Sequence, residues 1–242
     1  VLFTQGVNIL LNLFFGPAVN AARGIAVQVQ GAVTQFSTNF QTAINPQITK
    51  SYAVGDYAYM HSLIFHSSKF TFLLLATISF PVLLETEMIL QLWLETVPNY
   101  TAVFVRLMLC TTIIDAMAGA FMVSAQATGA VRVYQSVVGG ILLTIVPFSY
   151  IVLKMGAEPW SVFIVHLCVC ILAFAVRLFI LCRMIHLSLS GYFTKVLLRC
   201  MGVLIIALPL PLILLYFLSD TFINSIMVCL SGLLAMLFSS YV

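Results

Sequence analysis

An all-α integral membrane protein of about eight transmembrane helices is the fold class this sequence predicts, and three observations carry it. Hydrophobic residues fill 62% of the 242 positions and charged residues only 7%, against about 25% charged in a soluble domain; mean hydropathy is +1.15. Charge-poor windows near the ~20 residues that a bilayer core demands recur along the whole chain. The segments between them alternate in charge, as successive crossings require.

Taken in order, the first window runs from about Leu2 to Phe15 and is short. The second spans about Ala21 to Thr49, the third Tyr59 to Leu84, and the fourth Tyr100 to Ser124. A fifth lies between Arg132 and Lys154, and a sixth from Pro159 to Cys182. The seventh is placed between Arg199 and Asp220, and the eighth from Thr221 to Val242. The longest expected loops are Thr49–Tyr57, Glu85–Asn99 and Arg183–Lys195. Pro46, Pro81, Pro147, Pro209 and Pro211 and the pair Gly139-Gly140 fall inside windows, where they serve as hinges or are tolerated as membrane helices tolerate them.

The eight-span reading puts Lys50, Lys69, Arg132, Arg183, Lys195 and Arg199 on one side, with only Arg23 and Lys154 opposite. Glu85, Glu87, Glu95, Glu158 and Asp220 join the second side. The basic side is the cytoplasmic one. A net charge of +3, dispersed along the chain, points to no nucleic-acid partner. The six cysteines lie in or at the ends of apolar windows and read as small apolar side chains, with no ligand spacing among them or the four histidines. The chain starts at Val1 without an initiator Met, basic leader or cleavage site, and reads as a piece of a longer protein.

The second window is the unusual one. Its 26 residues from Gly24 to Thr49 carry no charge, yet twelve of them are amides or hydroxyls. Hydrocarbon offers such groups no partners, so this helix must face other helices or water over much of its circumference. At 100° per residue, Gln28, Gln35, Asn39 and Thr42 share one face. Gln30, Thr34, Ser37, Gln41 and Asn45 lie roughly opposite. One stripe suits the wall of a cavity and the other suits hydrogen bonds to neighbouring helices; which is which stays open.

Three charges fall inside windows: Arg106, Asp115 and Arg177. A charge at depth is costly and marks a pathway or a buried pair. Arg106 and Asp115 point to opposite sides of their helix, so each needs a partner elsewhere or water. Arg106 and, at the outer mouth of the polar helix, Arg23 suit contact with a phosphate. Asp115 serves ion coupling or a structural hydrogen bond, and Arg177 is expected to snorkel to the headgroups.

The segments GPAVNAARGIA, INPQITKSYAVGD, ILQLWLETVPNY and ATGAVRVY, in this order and spacing, resemble the second half of bacterial polysaccharide flippases. These belong to the multidrug/oligosaccharidyl-lipid/polysaccharide (MOP) exporter superfamily, with the O-antigen and capsule type the most similar. The resemblance covers about Gln5 to Met184. It implies a C-terminal six-helix lobe over residues 1–185, its first helix truncated, with residues 186–242 forming two additional transmembrane helices. It further implies a bacterial inner-membrane transporter that moves an undecaprenyl-linked glycan by alternating access. H+ or Na+ would be the coupling ion, and membrane lipids the surroundings. No cofactor and no enzymatic step are expected. Cavity residues would be Arg23, Gln28, Gln35, Asn39, Thr42 and Arg106, with Asp115 for ion coupling. The alternatives are a drug/cation antiporter of the same superfamily and a membrane glycan polymerase or ligase; the acidic segment Glu85–Asn99 lacks a base or nucleophile beside its glutamates.

Overall fold

A computed structural model describes residues 2–209, 211–213 and 222–241. Among them every regular element is helical: α1 (Leu2–Phe15), α2 (Pro17–Val54), α3 (Tyr57–Leu84), α4 (Thr86–Trp93), α5 (Thr101–Met117) and α6 (Gly119–Ala127) come first. They are followed by α7 (Val131–Leu143), α8 (Ile145–Lys154), α9 (Ser161–Ile185), α10 (Leu189–Tyr192), a π-helical turn (Phe193–Leu197), α11 (Leu198–Ala207) and α12 (Phe222–Tyr241). Five stretches are long and apolar enough to cross a membrane: Tyr57–Leu84, Thr101–Ala127, Val131–Lys154, Ser161–Ile185 and Leu189–Ile213. The chain is therefore an all-α, multi-pass membrane protein.

α2, α3 and α5 pack on one another at the centre; α9 lies against α5, α1 and α8 lie beside each other, and α12 covers α3. The buried side chains here are Met60, Ile64 and Leu75 of α3 and Phe104 and Leu109 of α5. Phe104 and Phe163 of α9 lock the α5–α9 seam with ring centroids 4.4 Å apart.

The longest helix is the polar one. α2 runs 38 residues, about 57 Å at 1.5 Å per residue, straight through Pro46. It ends at Gly55, whose φ of 81° is open to glycine at no steric cost. The N–H groups of Gly55 and Asp56 donate to the carbonyls of Tyr52 and Ser51, closing a Schellman motif. Asp56 then caps α3 by accepting from the Tyr59 N–H at 3.0 Å. Two residues thus stop one long helix and start the next.

Four boundaries differ from the sequence expectation. The expected loop Thr49–Tyr57 shrinks to Gly55 and Asp56, because α2 continues to Val54 and α3 starts at Tyr57. The segment Glu85–Asn99 is not all loop, because Thr86–Trp93 forms α4. The seventh helical stretch begins at Leu189 rather than Arg199, since His186 ends α9 in a left-handed conformation and Ser188 caps α10. The fifth window, expected as one helix, divides at Thr144, while Gly139-Gly140 lies inside α7. The end of the seventh window, residues 214–220, and Val242 lie outside the described residues.

Candidate functional site: a polar groove beside a broken helix

The fourth window is interrupted between Met117 and Gly119. A break in a membrane helix frees carbonyls that must find other donors. Here the side chains of two neighbours supply them. Gln41 of α2 donates through Nε2 to the Ala116 carbonyl at 2.9 Å, and Ser68 of α3 donates to the Met117 carbonyl at 2.8 Å. Gly119 makes room for the Gln41 amide, because a Cβ at that position would overlap it. The break is therefore built by three helices together.

Asp115 sits one turn before the break. Arg177 of α9 donates to its Oδ1 as an ion pair, and the Arg177 side chain is only 13% exposed. The Asp115 side chain is 55% exposed and faces a groove of about 360 Å³ between α2, α5 and α9. Gln30, Thr34, Ser37, Thr111, Thr112 and His166 line the same groove. Gln30 Nε2 donates to Thr112 Oγ1 at 2.8 Å, tying the two walls. The Thr112 hydroxyl in turn donates to the Met108 carbonyl, so this bond is set within a polarised chain.

The two stripes of α2 now have distinct surroundings. Gln30, Thr34, Ser37 and Gln41 turn inward onto α5 and α6. Gln28, Gln35, Asn39 and Thr42 are exposed on the outside of the bundle. The partners they have lie on α2 itself: Gln35 donates to Asn39 Oδ1 at 3.0 Å, and Thr42 donates to the Thr38 carbonyl. Phe36, between them, is 52% exposed. Amides on this face require water or another polar protein surface opposite them.

The cationic candidates are engaged inside the bundle. Arg23 folds back on α1, donating to the Thr4 carbonyl at 3.2 Å and Asn8 Oδ1 at 3.4 Å. Arg106 donates through Nε to Thr86 Oγ1 at 3.1 Å and lies 3.8 Å from Glu87, pinning α4 against α5. Its side chain is still 40% exposed. Neither arginine reaches the groove or the outer α2 stripe.

Arg177 departs from the snorkelling expectation. α9 continues to Ile185, eight residues past Arg177, and the Arg177 side chain turns onto Asp115 of α5 instead. A nearly buried guanidinium is stabilised by a carboxylate partner. Sequence reasoning also missed Gln41 and Gly119 as the parts of a helix break. The signal available was a glycine four residues beyond Asp115, the acid inside the fourth window.

No family model, curated protein or solved structure matches this chain.

Proposed function

We propose that this chain is one lobe of an alternating-access transporter, with two flanking helices, that flips a lipid-linked oligosaccharide or polysaccharide precursor. The movement runs from the inner to the outer leaflet of a bacterial inner membrane. The observation that carries the reading is the outer stripe of α2. Gln28, Gln35, Asn39 and Thr42 form an exposed polar face on a helix within an otherwise apolar chain. Such a face fits the wall of a water-filled cavity closed by a second lobe. Neutral amides and hydroxyls there suit the hydroxyls of a glycan, which offer many weak hydrogen bonds and no fixed charge. The resemblance of the four segments between Gly16 and Tyr134 points the same way.

In this reading eight helices cross the membrane, with Lys50, Arg132 and Arg183 at cytoplasmic ends. The residues of the lobe act by binding and by geometry, and transport rests on the differing affinity of two states for cargo and for H+ or Na+. The broken α5–α6 segment, braced by Gln41 and Ser68, is the part suited to two arrangements, since discontinuous helices mark transporter sites. A drug/cation antiporter is less well supported, because Asp115, the acid at depth, is already neutralised by Arg177.

The test is genetic and chemical together. Leucine at Gln28, Gln35, Asn39 and Thr42 should abolish surface polysaccharide and leave lipid-linked precursor on the inner leaflet, at unchanged protein level. Normal export by that variant would refute the assigned wall.

A further inference from the structure

A second cavity, of about 430 Å³, lies between α3 and the segment from Ser188 to Arg199. It shares no lining residue with the groove at Asp115, and the eight-span reading puts its cations on the basic side. Lys69, Lys195, Arg199, His61, His66 and Ser188 line it, and no Asp or Glu does. The ion pairs among the described residues are Arg106–Glu87 and Arg177–Asp115, so no carboxylate answers these three cations.

The alignment of the cations has a local cause. On α3, His61, His66 and Lys69 fall within nine residues and face the cavity together. On the facing segment, Ser188, Lys195 and Arg199 are brought to one side across the π-helical turn Phe193–Leu197, which widens the helix there. His61 Nε2 lies 2.9 Å from the Ile185 carbonyl and ties α3 to the end of α9, fixing the rim. Three cations converging without counter-charge repel one another, and an anion at their centre removes that cost.

The surroundings say which anion. Phe65 lines the cavity among the cations, and Phe70, Phe193 and Leu198 on the same two elements are about half exposed. Apolar side chains beside an uncompensated basic cavity match a ligand with a phosphate at one end and hydrocarbon at the other. Basic pockets between membrane helices at the cytoplasmic surface are suited to such headgroups, and 430 Å³ holds a glycerophosphate with room for water. We propose that this cavity is a binding site for the headgroup of an anionic phospholipid, with Lys69, Lys195 and Arg199 holding its phosphate. The assignment is independent of the transport reading.

The test uses the full chain in nonionic detergent, titrated with phosphatidylglycerol or phosphatidylcholine and read by native mass spectrometry. Phosphatidylglycerol is expected to bind in preference. Lys69→Gln/Lys195→Gln/Arg199→Gln should weaken it by at least about tenfold, because each surface cation contributes to such binding. The charge-keeping Lys69→Arg/Lys195→Arg/Arg199→Lys chain should bind as the parent does, which guards against a merely misfolded variant. Lys50→Gln/Arg132→Gln/Arg183→Gln removes as much charge from the same side outside the cavity and should also leave binding intact. Equal binding of both lipids, an unaffected glutamine triple, or equal loss in the control would overturn the site. Displacement of phosphatidylglycerol by millimolar orthophosphate would overturn the lipid assignment in favour of the free ion; resistance to it is expected.

Discussion

Asp115 and Arg177 set the energetics of the site at the scale of single residues. Arg177 is nearly buried and Asp115 half exposed, so removing the acid strands a guanidinium in a low-dielectric setting while water recovers part of the loss. Asp115→Asn should cost about 1–3 kcal/mol of stability, read as a fall in melting temperature in detergent. Asp115→Leu/Arg177→Leu should recover most of that loss, since deleting both partners removes the stranded charge. A double variant no better than the single would mean that the pair does not carry the effect. At Gly119 the limit is space: Gly119→Val would push the Gln41 amide off the Ala116 carbonyl. An unsatisfied buried carbonyl costs about 1–3 kcal/mol, so Gly119→Val and Gln41→Leu should destabilise alike and not additively when combined. Full additivity in a melting series would show that the two do not act on one bond.

α2 shows how one helix serves two environments. Its inner stripe binds α5 and α6 through Gln30 and Gln41, while its outer stripe bonds only along the helix. Single cysteines at Gln28, Gln35, Asn39 and Thr42, in a chain with its six native cysteines replaced, should react with a membrane-impermeant maleimide in the membrane. A cysteine at Ser37, which is buried, should not. Protection at all four outer positions would place that face against lipid or protein and remove the cavity reading. The sequence already displayed both stripes, because helical periodicity alone spaces them. It could not rank them, because Gln28 and Gln30 are chemically alike and differ only in what packs opposite. The α2–α3 corner was less legible: Thr49–Tyr57 reads as a loop, and the structure instead carries α2 to a left-handed stop at Gly55 with Asp56 capping α3. Gly55→Ala should cost about 1 kcal/mol, measured by melting temperature.

For the whole molecule, the proposed topology rests on where the cations lie. Lys50, Arg132 and Arg183 lie within a few residues of helix ends, as do Glu85 and Glu158. The eight-span proposal puts the first three on one side and the glutamates on the other. A reporter inserted after Gly55 or Gly129 should read as cytoplasmic, and one after Val97 or Ala157 as external. Both pairs on the same side would break the eight-span proposal. Helix breaks and interhelical pairs emerge only at this scale, since Asp115 and Arg177 are 62 residues apart in sequence.

Composition and window length by themselves determined that this is an all-α membrane protein, because a chain with 7% charge has no soluble alternative. They also determined which helix is polar and which residues share each of its faces, because both are properties of consecutive residues. Only the tertiary structure decided that Gln41 enters the backbone of α5, that Arg177 neutralises Asp115, and that Arg23 and Arg106 bind within the bundle. Each of these is a choice of partner. Inside a membrane a polar group takes whichever partner packing brings within reach, and reach is a property of the assembled helices.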